Sequence, residues 1–173
     1  MYPLDGAANR RVGHGRSGIE RVVTLERLTH AGRSGVRIAV AESLTSGLLC
    51  SEIGKGEDAS DWFAGGVVAY RTQTKEELLG LPPGIDPCSP ACAVHLAVGA
   101  RELFDADVAV STTGVGGPLP EGGHEPGTVF LGWATATASG YRGLALGGSP
   151  DAVLRVTIKQ ALSLLAQVAS EAG

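Results

Sequence analysis

Cysteine, lysine, histidine and basic charge are all scarce in this chain, and each scarcity narrows what it can do. The cysteines are Cys50, Cys88 and Cys92, an odd number with no Cys-x-x-Cys pair. That favours reduced thiols in a cytoplasmic protein over a disulfide framework. Cys88, Cys92 and His95 fall short of the four ligands of a structural zinc site, so small core or capping positions are the better reading and no metal is expected. A net charge of −4 lacks the basic footprint that nucleic-acid binding needs. The local exception is Arg10, Arg11 and Arg16, read as part of a solvated tail. No uninterrupted apolar run approaches a membrane span, and residues 1–6 lack the basic-then-apolar order of a secretory signal. The four histidines sit in no nucleophile-elbow or triad context, which leaves few candidates for a base.

What is present is a globular composition, 43% hydrophobic and 18% charged, in 173 residues, enough for one domain with a substantial core. The 26 glycines are spread between apolar runs and read as turns and close backbone approaches. Residues 1–16 carry little apolar periodicity and are read as a flexible N-terminal extension, with a single domain over 17–173. Ile19, Val22, Val23, Leu25 and Leu28 recur at helical spacing, and a strand over 36–41 follows. Leu44, Leu48, Leu49 and Ile53 mark the next helical face. Residues 58–66 read as a loop in which Trp62 and Phe63 pack locally, and 67–70 as a second strand.

A short helix over 72–79 is stopped by Gly80-Leu-Pro-Pro-Gly84. Ser89-Pro90 and Ser149-Pro150 each give an N-cap followed by proline at the first helical position. A third strand covers 107–113, and strands over 127–137 and 141–146 are separated by a turn at Ser139-Gly140. Alternation early and a hairpin late predict an α/β fold, a three-layer α/β/α sandwich around a mixed, mainly parallel sheet. Leu162, Leu164 and Leu165 in the last helix fit either a subunit interface or a buried helix.

Two strand ends carry the candidate chemistry. Ala41-Glu-Ser-Leu-Thr-Ser-Gly47 joins a strand to a helix and places Glu42, Ser43, Thr45, Ser46 and Gly47 where open α/β sheets bind ligands. Thr45 or Ser46 also fits a plain N-cap. The second, Ser111-Thr-Thr-Gly-Val-Gly-Gly-Pro118, puts Thr113, Gly114, Gly116 and Gly117 at a backbone able to approach an anion, or in an ordinary tight turn. Neither is a Walker A loop or a dinucleotide fingerprint. A serine nucleophile needs a base, and a buried lysine with a lowered pKa is one solution. Lys75, one of three lysines, is the candidate; a solvated lysine paired with a glutamate is the alternative.

The order of motifs resembles the CinA C-terminal domain family. It runs Ala-Glu-Ser-x-Thr-x-Gly, Trp-Phe-x-Gly-Gly-Val-Val-Ala-Tyr, Lys-x-x-Leu-Leu-Gly, Thr-Gly-x-x-Gly-Pro and Pro-x-Gly-Thr-Val, over roughly residues 19–168. Stand-alone members are nicotinamide-mononucleotide deamidases. The resemblance implies hydrolysis of a pyridine-nucleotide carboxamide to ammonia and nicotinate mononucleotide, without cofactor or metal, in a homo-oligomer. By the same resemblance Ser43 attacks the carboxamide carbon and Lys75 takes the serine proton. Tyr70 lines the pocket as the third member of the catalytic group. Glu42, Thr45, Ser46 and Gly47, with Thr113, Gly114, Gly116 and Gly117, hold the phosphate or the oxyanion. The partner so implied is a small phosphorylated nucleotide; neither nucleic acid nor membrane is expected.

The chain departs from the family pattern at Leu44, Ser46, Arg71 and Pro150. Most consequential is Gly148-Ser149-Pro150 where the family tends to read Gly-Asp-Arg. Ser149 retains the cap, but the arginine, a natural phosphate or carboxamide contact, is gone. Arg155 or Arg71 is a possible substitute. The alternative function is a non-hydrolytic paralogue binding a nucleotide or a protein partner through the same pocket.

Overall fold

The computed structural model describes residues 16–173. The expected extension over 1–16 therefore lies outside the described residues except for Arg16, where the first helix begins. The elements are α1 (Arg16–Arg33), β1 (Ile38–Glu42), α2 (Leu48–Ile53), α3 (Ala59–Trp62), β2 (Phe63–Val68) and α4 (Thr72–Leu79). They continue with α5 (Pro90–Leu103), β3 (Val108–Gly114), β4 (Thr128–Ala134), β5 (Ser139–Ala145) and α6 (Pro150–Ala172). The sheet order is β2-β1-β3-β4-β5. β1 pairs in parallel with β2 and β3, while β3–β4 and β4–β5 are antiparallel, so the sheet is mixed as expected.

Alternation within the central strands builds the three layers. Ile38 and Val40 of β1 and Val108 and Val110 of β3 face one way, into a core with Leu28 of α1, Leu49 and Ile53 of α2, and the apolar stripe of α6. Ala39, Ala41 and Ala109 face the other way, against Leu96 and Ala100 of α5 and Leu79 of α4. The second face is small because α5 lies almost on the sheet. Ser111 Oγ donates to the Ala93 carbonyl at 2.5 Å, and a Cβ on Gly132 would sit 2.0 Å from that same oxygen. Capping follows the sequence: Ser89 Oγ accepts the Cys92 N–H at 3.1 Å, and Ser149 Oγ accepts the Ala152 N–H at 3.3 Å.

Three local expectations are corrected. The second strand begins at Phe63, not 67, because the loop reading missed α3. Trp62 closes that helix and is 2% exposed in the main core, where its ring centroid lies 6.4 Å from that of Phe63, so the two aromatics do pack together; its indole N–H donates to the Glu57 carbonyl at 3.0 Å. The hairpin turn is residues 135–138, closed by the Thr135 N–H to the Ala138 carbonyl at 2.8 Å, and Ser139 and Gly140 are the first residues of β5. The helix expected from Leu44 begins only at Leu48, after a turn.

In α6, Leu162, Leu164 and Leu165 are all buried within the chain. This helix is long and apolar enough by length and composition to cross a membrane. Half of its most apolar window is buried inside the fold, the state of a core helix.

Candidate active site

The parallel strands β1 and β3 end side by side, and the Ser43 N–H extends their ladder by donating to the Thr112 carbonyl at 3.0 Å. The chain then turns sharply over residues 43–47. The Ser46 N–H reaches back to the Ser43 carbonyl at 3.2 Å, and the Leu48 N–H to the Thr45 carbonyl at 2.9 Å. Ser46 adopts a left-handed φ of 49° to make this turn. Ser43 is thereby held at the head of the sheet, 7% exposed, on the wall of a cavity of about 600 Å³.

Glu42 explains why α2 begins where it does. Its carboxylate is fully buried and accepts three N–H groups: Gly47 at 3.0 Å, Leu49 at 3.0 Å and Cys50 at 2.8 Å. These are the donors that a helix start leaves unpaired, and a carboxylate there also complements the helix dipole. Gly47 is the N-cap and contributes no side chain. The N-cap role considered for Thr45 or Ser46 therefore falls to Glu42. The helix N–H groups expected to hold a substrate anion are already occupied by it. Thr45 is fully buried with Oγ1 2.8 Å from Thr112 Oγ1, and neither Glu42, Thr45 nor Gly47 lines the cavity.

Lys75 reaches the same cavity from α4. It is 3% exposed, and its Nζ donates to the Tyr70 carbonyl at 3.4 Å. Burial lowers its pKa below the ordinary lysine value, partly opposed by Cys92, Glu121 and Cys88. The other two lysines behave in the ordinary way, exposed and paired with Glu52 and Glu20. The solvated-lysine alternative is thus excluded. No direct hydrogen bond joins Ser43 to Lys75, and both line the one cavity. The Tyr70 ring is exposed at the rim, and its carbonyl is what anchors Lys75.

The end of β3 forms the opposite wall. Thr113 Oγ1 is engaged by the Pro87 carbonyl at 2.5 Å, so this residue offers the cavity mainly backbone. Gly114 has φ of 146° and presses on β4, where a Cβ would lie 2.3 Å from the Thr128 carbonyl. The Val115 N–H donates to that carbonyl at 2.9 Å, whereas those of Gly116, Gly117 and Leu44 have no partner among the described residues. Thr113, Gly114, Gly116, Gly117 and Ser46 all line the cavity. Pro150 and Leu154 of α6 close it where the family pattern places an arginine. Among the described lining residues there is no arginine, although Tyr70 and Thr72 on either side of the exposed Arg71 both line the cavity.

Sequence reasoning missed Asp86, Cys88, Glu121 and His124, which also line the cavity. Asp86 Oδ2 lies 2.7 Å from His124 Nε2. Burial pushes the Asp86 carboxyl up, but the Cys88 N–H and His124 outweigh it and hold the pKa below the ordinary carboxylate value. Burial pushes the Cys88 thiol up to about 11. It therefore stays protonated near neutral pH and is no rival to Ser43 as nucleophile. Among the described residues no group of three or more His, Cys, Asp or Glu side chains is arranged to hold a metal.

Residues 23–169 match the family model described as CinA C-terminal domain. A Geobacillus kaustophilus protein, named as competence-damage inducible, is 42% identical over 142 residues, 79% of this chain and 33% of its own length. A Halalkalibacterium halodurans protein of the same description is 39% identical over 127 residues, 70% of this chain and 30% of its own. The chain thus spans about a third of the length of these relatives. A CinA-superfamily crystal structure from Escherichia coli superposes with a TM-score of 0.82 at 27% identity, covering 92% of this chain and 95% of that one. One from Klebsiella pneumoniae gives 0.81 at 25% identity, covering 88% and 98%.

Proposed function

This chain belongs to the CinA C-terminal domain family, and from that membership and the residues of the cavity we propose that it is a serine amidohydrolase acting on the carboxamide of nicotinamide mononucleotide. The observation that carries the reading is a buried lysine of lowered pKa sharing one cavity with a serine at a strand end. A neutral lysine amine is a competent base, and burial makes the neutral form accessible nearer physiological pH.

The sequence of events follows from those groups. Lys75 Nζ takes the Ser43 hydroxyl proton as Ser43 Oγ bonds to the carboxamide carbon. The resulting oxyanion is stabilised by backbone N–H groups, for which Leu44, Gly116 and Gly117 are the available donors. Collapse breaks the C–N bond, and Lys75 returns its proton to the departing ammonia. Water, deprotonated by Lys75, then cleaves the ester and releases nicotinate mononucleotide, with the proton passing back to Ser43. Ligand binding brings the two side chains together, since catalytic hydrogen bonds are often long before substrate arrives. A cavity of about 600 Å³ is of ordinary size for a small-molecule site.

Ammonia release from nicotinamide mononucleotide, with nicotinate mononucleotide identified as product, tests the reading. Turnover by the native protein and its loss in both Ser43→Ala and Lys75→Ala support it; full activity in Ser43→Ala sinks the serine mechanism. The second reading, a non-hydrolytic paralogue, is favoured by Pro150 standing in the cavity wall in place of an arginine. It predicts calorimetric binding of the nucleotide without turnover.

A further inference from the structure

A second constellation lies in the same cavity, on the loop from β3 to β4. Glu121 and His124 exchange backbone hydrogen bonds, the Glu121 N–H to the His124 carbonyl at 3.1 Å and the His124 N–H to the Glu121 carbonyl at 2.9 Å. Between them Gly122 and Gly123 have φ of 58° and 84°. Two positive φ values in succession fit a two-residue hairpin turn of type I′, which glycine adopts without strain. The backbone of His124 is pinned by that turn.

The ring is pinned as well. Nε2 lies 2.7 Å from Asp86 Oδ2, while Asp86 Oδ1 accepts the Cys88 N–H at 2.8 Å and the Asp86 carbonyl accepts Ser89 Oγ at 2.7 Å. Asp86 is therefore held from three directions with its carboxylate ionised. An ionised carboxylate only accepts, so Nε2 is the nitrogen that carries a proton, and in the neutral tautomer so fixed Nδ1 keeps a lone pair. Nδ1 has no partner among the described residues, and the side chain is 28% exposed on the cavity wall. His124 and Glu121 thus bring an imidazole of fixed position and a carboxylate-bearing residue to the same cavity.

A wall of carboxylate and imidazole lone pair disfavours a phosphate and suits an O–H or N–H donor. We propose that His124 is a specificity-determining residue whose Nδ1 accepts a hydrogen bond from a sugar hydroxyl of the substrate. The inference rests on the nucleotide-amide reading: the carboxamide is committed to Ser43 and the phosphate is repelled by this wall, which leaves the ribose hydroxyls as donors. Asp86 acts through His124, fixing its tautomer and direction.

The test is calorimetric titration of Ser43→Ala protein with nicotinamide mononucleotide and with its 2′,3′-dideoxy counterpart. The hydroxylated ligand is expected to bind about tenfold more tightly, the size of one hydrogen bond to a fixed acceptor. Adding His124→Gln keeps an N–H for Asp86 but removes the Nδ1 acceptor. It is expected to erase the difference by weakening the hydroxylated ligand alone. Adding His124→Asn instead restores an acceptor near the Nδ1 position without reaching Asp86, and is expected to recover part of the discrimination.

Equal binding of the two ligands, discrimination unchanged in His124→Gln, or no binding of either ligand overturns the inference. Ammonia release by the native protein separates the two claims. Discrimination without turnover overturns the hydrolase and leaves His124 its role; turnover without discrimination does the reverse.

Discussion

Glu42 and Lys75 are both ionisable and both buried beside the same strand ends, yet their surroundings are opposite. Three N–H groups satisfy the Glu42 carboxylate, so Glu42→Ala orphans the start of α2. It is expected to cost about 2–4 kcal/mol in urea unfolding, by the penalty of leaving several buried donors unpaired. Lys75 has one long hydrogen bond to a carbonyl and a pKa lowered by burial. The unfolded chain binds the Lys75 proton more tightly than the folded one. Its contribution to stability therefore rises with pH from the lowered folded value up to the ordinary lysine value, and is unfavourable below. Lys75→Met is expected to raise the melting temperature at pH 7 while abolishing turnover, with the gain shrinking toward pH 10. In the native protein, turnover should rise with pH as Lys75 loses its proton, at an apparent pKa below the ordinary lysine range. A residue that stabilises when removed and kills activity when removed is maintained for function.

At the scale of elements, the close approach of α5 to the sheet ties the fold to the site, because Asp86 and Cys88 lie just before that helix. Gly132→Ala drives a Cβ into the Ala93 carbonyl. It is expected to destabilise by about 1–3 kcal/mol or more, in the manner of an overpacked core, and to weaken substrate affinity through the displaced Asp86–His124 pair. Calorimetric unfolding and the ligand titration read the two effects separately. Much of this layer was legible in the chain. The 72–79 helix follows from Gly80-Leu-Pro-Pro, and both Ser-Pro caps hold. The start of α2 was not legible, because its cap is supplied from the preceding strand by Glu42 rather than by a local hydroxyl. The start of β2 was hidden too: α3 is one turn long, too short for any periodicity. The Asp86–His124 pair joins residues 38 positions apart, and no spacing rule announces such a contact.

For the molecule as a whole, the expected α/β/α layering around a mixed sheet is what the chain adopts, and family membership accords with it. Position in the sheet made the Ser43 strand end visible from sequence, since apolar runs ending in polar turns mark the carboxyl edge of a parallel sheet. Lys75 could be nominated but not judged, because burial depends on how α4 settles against α5. Leu48, Val68 and Tyr70 are exposed apolar side chains, and Tyr70 lines the cavity. With the family resemblance, they support the proposal of a homo-oligomer. Light scattering on the purified chain should return a multiple of 17.6 kDa, and the single-chain mass would set that proposal aside.

If Lys75 activates Ser43 inside this cavity, the serine is an unusually reactive nucleophile. Labelling with a serine-directed fluorophosphonate, followed by peptide mass spectrometry, addresses it without assuming a substrate. The label is expected on the peptide containing Ser43 in the native protein and to be lost in folded Lys75→Met. A native protein that stays unlabelled, or equal labelling of Ser43 in Lys75→Met, would contradict it.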